Sequence, residues 1–576
     1  ERYAGHPMAG PIGDADCGSE GGEAAVEPTS FSVDGRDYQV VCRDGAMVHV
    51  ERVMDDEGIL YEQAVPVRFA LGSGTRGKTY LVDRGGKLFQ SPIGWYAGNR
   101  GYGLSPGYRE DPGLRFERAI GDGCLVCHAG RLARDVYRPG QYTDGVFLER
   151  SIGCERCHGP GERHVAARRV AESEGLEPTV SSDQIVNPSR LDPERREAVC
   201  NQCHLIGEAV IPRRGRGFFD YRPGDLLDDT RIVLVKAGQA SRGPEGGAPS
   251  RQTGATGGDR AVSHVEQMRE SRCYVGSQGR LGCTSCHDPH GVPDRQSREA
   301  FYRSRCNACH ADDSCGLTDA EREAAPFSGS CISCHMPPTT SRDVPHTAVT
   351  DHRVRRRPAT MEADHHRSTP SRSDVAGSGL TVFGGAGHRL PRWELERALG
   401  LRLAEESLVR RDPLMASQAV ESLVPGGADP VALLIDDIDA LLAVADILDV
   451  SGQMGTAASC RTKVLELDPL NEPALEGLAK HRQRQGDLDD ALQYIDRLLT
   501  VNPWIAGVHA RRAVLLGGLS RWKDGIEAAD AALALDPTLL QVRRWLVEAC
   551  GRAGEQERVE QERSLLSRFE KATRGR

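Results

Sequence analysis

Little in this chain of 576 residues is suited to an ordinary hydrophobic core. Aromatic residues make up only 5% of it and apolar residues 39%. That is thin for a chain long enough for roughly two to four domains, unless something other than side chains fills the interior. No window approaches the length of uncharged apolar sequence that crosses a membrane. The best candidate, residues 431–450, carries Asp436, Asp437, Asp439, Asp446 and Asp449, so no membrane span is expected. The net charge is −10 with no strongly basic block, which argues against nucleic acid as a partner. No initiator methionine and no signal peptide stand at the front, so the chain is expected to be processed or truncated before Glu1.

Two residue types are abundant instead: cysteine and histidine each occur eighteen times. Six segments read C-x-x-C-H: Cys124, Cys127 and His128; Cys154, Cys157 and His158; Cys200, Cys203 and His204; Cys283, Cys286 and His287; Cys306, Cys309 and His310; Cys331, Cys334 and His335. Composition alone yields about 0.02 such segments in a chain of this kind, so their recurrence identifies covalent haem attachment. The spacing has a mechanical reason. Two thiols form thioethers to the two former vinyl groups of one haem, and the adjacent histidine then lies beneath the iron as proximal ligand. Zinc at paired C-x-x-C, or a disulfide within each pair, leaves the invariable histidine unexplained. Six covalent haem c groups are expected, and as large apolar plates they make good the shortage of aromatic side chains.

Closing every iron requires a second ligand at each. Outside the motifs, the first 366 residues hold His6, His49, His164, His264, His290, His346, His352, His365 and His366. His164 in CERCHGPGERH and His290 in CTSCHDPHG follow their own motifs too closely to turn back onto the same haem, and are expected to serve neighbours. His264 precedes the fourth motif, and His346 and His352 follow the sixth in VPHTAVTDHR. These five, with His6 and His49, are the distal candidates. His365 and His366 fall in a polar stretch, and His388, His481 and His509 read as surface or solenoid residues. Met268 and Met336 are alternative thioether ligands. Of the cysteines outside the motifs (Cys17, Cys42, Cys273, Cys315, Cys460 and Cys550), Cys273 and Cys315 flank the fourth and fifth motifs; a disulfide between them is one reading, which export permits, with the pairing of Cys17, Cys42, Cys273 and Cys315 left open. Cys460 and Cys550 read as small core residues. Arg353, Arg355, Arg356 and Arg357 either pair with haem propionates or form a solvated basic face.

Along the chain, residues 31–41, 46–53, 65–71 and 79–88 are β-prone, with hairpin turns expected at Asp34-Gly35, Asp44-Gly45 and Gly85-Gly86. The expected organisation is a strand-rich N-terminal part (1–115), an irregular, mostly α multihaem domain (116–358) with a mobile Gly/Ser/Thr/Pro-rich insert at 237–260, a linker (359–391) and a C-terminal α-solenoid (392–576). The solenoid rests on a period. Asp468-Pro469, Asn502-Pro503 and Asp536-Pro537 are 34 residues apart, and Gly452, Gly486 and Gly554 each lie 17 residues from one of these prolines. Tetratricopeptide repeats have this period, each unit being a helical hairpin. Three repeats are readable between 438 and 573, counting a divergent terminal one as cap, with a degenerate one expected at 396–437.

The segments HVEQMRESRCYVGSQGRLGCTSCHDPHG, GCERCHGPGERH, VCNQCHLIG, CISCHMP and VPHTAVTDHR together resemble the multihaem c-type cytochromes that carry C-terminal tetratricopeptide repeats. The haem part is similar to the tetrahaem electron carriers and, more remotely, to the hydroxylamine oxidoreductase group. VRFALGSGTRGKTYLVDRGGKLFQSPIGWY resembles the segment that precedes the haem cluster in that family. The resemblance implies an exported, periplasmic or extracellular electron carrier with closely packed bis-histidine haems, and it supports His164, His264 and His352 as distal ligands. It implies redox proteins or extracellular acceptors as partners, and further protein partners through the repeats. Stacking of copies into a homopolymeric filament, a haem enzyme acting on a small nitrogen or sulfur compound at one open iron, and a repeat adaptor carrying haems as cargo remain alternatives. No C-x-x-C-K variant is present. ERYAGHPMAG resembles a segment that follows an earlier C-x-x-C-H in the family, so a seventh haem lost upstream is a further expectation.

Overall fold

The structure is a computed structural model. It describes residues 2–17, 29–98, 100–108, 112–135, 138, 140–175, 185–236, 263–311, 315–323, 329–337, 350–355 and 379–574. The insert at 237–260, most of the linker, and His346, His365 and His366 lie outside the described residues. The chain forms two compact units.

The first unit comprises Glu1–Pro11, Asp122–Arg131 and Glu149–Leu399, and it holds all six motifs. It is irregular, as the density of glycine and proline dictates. Its helices are short: α1 (Asp122–Leu125), α2 (Glu155–His158), α3 (Glu162–Ser173), α4 (Pro193–His204), α5 (His264–Glu270), α6 (Arg272–Gly276), α7 (Cys283–Cys286), α8 (Arg298–Asn307), α9 (Asp319–Glu323) and α10 (Cys331–His335). Local capping fixes where they start. Asp192 accepts from the Glu194 and Arg195 N–H groups with Pro193 at the first turn of α4, while Ser263 and Ser271 cap α5 and α6. A three-stranded antiparallel sheet (Ala209–Pro212, Arg231–Lys236, Leu380–Val382) backs these helices, its central strand buried except for Lys236.

The second unit comprises Ile12–Gly121, Leu132–Leu148 and Gly400–Arg576. Its strands are β1 (Ile12–Asp14), β2 (Ser30–Val33), β3 (Arg36–Arg43), β4 (Ala46–Asp55), β5 (Gly58–Pro66), β6 (Phe69–Leu71), β7 (Gly77–Arg84), β8 (Lys87–Tyr96), β9 (Gly101–Leu104) and β10 (Arg118–Ala119). They form two antiparallel sheets. One has the order β2-β3-β4-β5; the other runs β1-β6-β7-β8-β10, with β9 also on β8. Asp34-Gly35, Asp44-Gly45 and Gly85-Gly86 all have both residues at positive φ. That is the twist-matched turn of a two-residue hairpin, and it divides the runs 31–41 and 79–88 into two strands each. Cys42 on β3 forms a disulfide with Cys17 at a Cα separation of 5.9 Å. A Cys273–Cys315 bridge is not made. Cys273 sits among the thiols of Cys286 and Cys309, whereas exposed Cys315 lies towards Cys334.

The helical part opens with α11 (Arg392–Arg410), α12 (Pro413–Leu423) and α13 (Pro430–Leu433). Four antiparallel pairs follow: α14 (Ile438–Val450) with α15 (Met454–Leu467), α16 (Glu472–Gln485) with α17 (Leu488–Val501), α18 (Ala506–Gly518) with α19 (Trp522–Leu535), and α20 (Leu540–Ala553) with α21 (Gln556–Arg574). Ala491, Leu498, Cys460 and Cys550 are all buried between helices. Gly452, Gly486 and Gly554 take φ between +81° and +84° at the turn inside three of the pairs, the left-handed conformation that ends a helix. The solenoid packs on the sheet part of the same unit: Phe569 on α21 stacks against Tyr61 at 6.0 Å, within a cluster that includes Val53 and Leu60.

Candidate haem-attachment site

Each motif is built on about one helical turn. In the second, fourth and fifth motifs the histidine N–H donates to the carbonyl of the first cysteine at 2.9 Å. A single turn sets both thiols and the imidazole on one side of the backbone, the arrangement that attachment to one macrocycle requires. Among the described residues no group of three or more His, Cys, Asp or Glu side chains gathers into a metal cluster.

The histidines pair across motifs. His158 of the second motif and His290 lie with ring centroids 5.9 Å apart and planes 7° from parallel. His204 of the third motif and His264 are 6.1 Å apart with planes crossed at 83°. His287 of the fourth motif and His352 are 6.2 Å apart at 24°. An iron between two imidazole nitrogens, with bonds of about 2.0 Å and about 1.1 Å from each nitrogen to its ring centre, sets centroids about 6 Å apart. The residues present therefore fit an axially ligated haem at three of the six motifs. The second nitrogen of several rings is already engaged. His158 Nδ1 lies 2.8 Å from the Val186 carbonyl, His335 Nδ1 2.6 Å from that of Arg355, and His352 Nδ1 2.7 Å from that of Thr350. A carbonyl only accepts, so the proton sits on Nδ1 and Nε2 keeps the lone pair that ligates. Burial, reinforced by the neighbouring imidazoles, pushes His264 down to about 3 and His287 down to about 4. Burial also lowers His204 and His352. All four are neutral at neutral pH, the ligand form.

The motifs are knitted together by the second variable residue of C-x-x-C-H. Arg156 Nη2 donates to the Val126 carbonyl at 2.8 Å, joining the second motif to the first, and Gln202 Nε2 donates to the Arg156 carbonyl at 3.0 Å, joining the third to the second. Cys127 and Cys203 each point a thiol at the other motif's backbone, 3.8 Å away. Cys200 meets Cys283, and Cys306 meets Cys331. Arg231, only 3% exposed, lies over Phe218 and donates to the Gln202 and Phe218 carbonyls, with no carboxylate partner among the described residues. Sequence reading did not single out Arg156, Gln202 or Arg231. A variable position inside a motif carries no signal until the fold shows what it touches.

Three distal candidates are placed differently. His49 belongs to the second unit, which holds no motif. It is fully buried on β4, 2.7 Å from Ser91 Oγ and edge-on to Tyr80 at 4.8 Å. His6 lies in the motif-bearing unit, stacked on Tyr3 at 5.6 Å. Its Nδ1 accepts from the Met8 N–H at 3.1 Å, which leaves the proton on Nε2, the reverse of the ligating form. His164 stands half-buried on α3 without a histidine ring beside it among the described residues. Arg353 and Arg355 both donate to the buried carboxylate of Asp351 at 2.9 Å, so that pair of the basic run is engaged within the protein.

Residues 277–314, which span the fourth and fifth motifs, match the family model described as the doubled CXXCH motif. No curated protein matches. Among solved structures, the chain is similar to MamA AMB-1, with 21% identity over 31% of this chain and 92% of that one and a TM-score of 0.28. It is also similar to MamA 41-end from Desulfovibrio magneticus RS-1, with 19% identity over 31% of this chain and 96% of that one and a TM-score of 0.28. The motifs and the doubled-CXXCH match together make this a c-type haem-binding chain whose C-terminal part is a stack of helix pairs.

Proposed function

We propose that this chain is an exported electron-transfer cytochrome in which haem c at the second, third and fourth motifs is closed by His290, His264 and His352. The observation that carries the reading is the trio of histidine pairs, each at the separation a six-coordinate iron requires and each joining a motif to a histidine outside it. Haem c supplies reversible one-electron chemistry when bound. The protein's part is to hold both imidazoles neutral and oriented, as the Val186 and Thr350 carbonyls do. His158 with His290, His204 with His264 and His287 with His352 would hold the three irons from both sides, and a group held in this way would exchange electrons rather than bind substrate, which favours a carrier over an enzyme at those sites. The Cys17–Cys42 disulfide and covalent haem attachment both support an oxidising, exported location. The stacked helix pairs, an architecture that offers extended binding faces, are assigned to contacts with partner proteins.

The test uses the haem-loaded full chain. Replacing His264 by Ala is expected to leave haem content unchanged and to add about one carbon monoxide per reduced chain over the unsubstituted protein, because one iron loses its sixth ligand. An unchanged uptake would remove His264 from the ligand set. His49→Phe is the control, expected to alter neither the haem spectrum nor the uptake.

A further inference from the structure

Two buried polar side chains tie the third motif to the fourth, one on the motif side of the histidine pairs and one on the distal side. On the motif side, Glu197 lies on α4 seven residues before His204 and is 8% exposed. Its Oε2 accepts from the Cys283 N–H at 3.0 Å, at the first residue of α7. The approach is close: a Cβ on Gly282 would stand 2.1 Å from Glu197 Oε1, so a larger residue there would push the carboxylate aside. The Cys200 and Cys283 side chains meet at the same place. On the distal side, Gln267 is 3% exposed and stands one turn beyond His264 on α5. Its Oε1 accepts from the His352 N–H at 2.8 Å. The His264 and His352 rings, one from each pair, then meet edge to face at 4.5 Å.

The third motif and its distal helix thus each reach across and hold the corresponding part of the fourth. We infer that haem sites three and four form one electronically coupled pair, with Glu197 and Gln267 as the positioning residues that set its separation. The inference rests on the histidine assignments proposed above. Electronic and magnetic coupling between redox centres falls steeply with distance, so a buried hydrogen bond on each side fixes the quantity that matters. A surface contact leaves it to thermal motion. Each acceptor is buried, so losing it leaves its N–H partner without that bond and drives the local backbone to move. The crossed imidazole planes at site three, against near-parallel planes at site four, give the two ferric centres different low-spin signatures and make them separately observable.

The experiment is electron paramagnetic resonance of the haem-loaded full chain through a potentiometric titration. In the fully oxidised protein the signals of the two coupled haems are expected to be broadened away, and to emerge when the pair is half reduced. Glu197→Leu and Gln267→Leu should release those signals already in the oxidised state, with haem content and the low-spin optical spectrum unchanged. Glu197→Gln and Gln267→Glu, which keep an accepting oxygen, should retain the coupling. A fully oxidised unsubstituted protein that integrates to one independent spin per haem overturns the pair, and this holds even if a leucine variant fails to load haem. Coupling that persists in both leucine variants removes the positioning roles. Failure of the ligand assignment is read separately, by the carbon monoxide uptake of His264→Ala.

Discussion

A histidine commits to a metal through the nitrogen it does not use. His158, His335 and His352 spend Nδ1 on a backbone carbonyl and leave Nε2 available, whereas His6 accepts at Nδ1 and so keeps its proton on the nitrogen that would ligate. Equal residue counts therefore conceal opposite chemistry, decided by a backbone carbonyl in one case and a backbone N–H in the other. The same sensitivity to local backbone governs the repeat turns. Gly452, Gly486 and Gly554 sit at φ near +80°, and the position that completes their 34-residue spacing is Ser520, at φ +60°. A side chain there carries the left-handed penalty that glycine avoids. Ser520→Gly is expected to stabilise the solenoid-bearing unit by about 0.5–1 kcal/mol, the gain being partly offset by the greater freedom of glycine in the unfolded chain. Urea denaturation followed by far-ultraviolet circular dichroism would show a raised midpoint; a lowered one would mean that the serine hydroxyl contributes more than its backbone costs.

At the level of elements, the joint between sheet and solenoid turns on one buried arginine. Arg115 donates to Glu51 on β4 at 2.9 Å, to Gln63 on β5 at 2.6 Å and to Asp536 at the end of α19 at 2.6 Å. Tyr61 adds a hydrogen bond to the same Glu51 oxygen at 2.6 Å, and Gln63 also donates to the Leu535 carbonyl. Glu51 is wholly buried, so removing Arg115 leaves its carboxylate with the more distant Arg36, at 3.7 Å, as its cation. Arg115→Met is expected to cost about 3–5 kcal/mol, and adding Glu51→Gln should recover a large part of it. A double variant as unstable as the single one would show that packing, not charge, sets the cost. This network also marks the boundary of what the sequence discloses. Hairpin turns at Asp-Gly and Gly-Gly, the 34-residue period and the six attachment motifs are local patterns, and each is readable because the physics that fixes it lies within a few residues. The strand β5 is only partly legible, because its alternation begins beyond the non-glycine turn at Asp56-Glu57. Arg115 and Asp536 are 421 residues apart, and no local pattern announces their pairing. The haem site divides the same way. The list of spare histidines can be written from the chain, but which of them meets which motif depends on long-range packing. The Cys17–Cys42 bridge is hidden for the same reason: its cysteines are 25 residues apart and no local pattern pairs them.

For the whole molecule, charge decides how electrons are approached rather than how they are held. The chain carries 83 acidic residues against 73 lysines and arginines, a net charge of −10. Each bound haem adds two propionates, so the loaded protein is more negative than its sequence. A field of one sign draws oppositely charged partners and slows like-charged ones, and salt screens both effects. The reduced, haem-loaded protein is therefore expected to react faster with a cationic cobalt phenanthroline oxidant than with ferricyanide of matched driving force at low salt. Raising the ionic strength from about 0.01 M to about 0.1 M shortens the screening length from about 30 Å to about 10 Å. The cationic rate should then fall, the anionic rate should rise, and the two should converge. Stopped-flow absorbance at the haem bands measures both. If the two rates respond to salt in the same direction, the net charge does not govern access, and a local basic surface near the entry haem would have to set it instead.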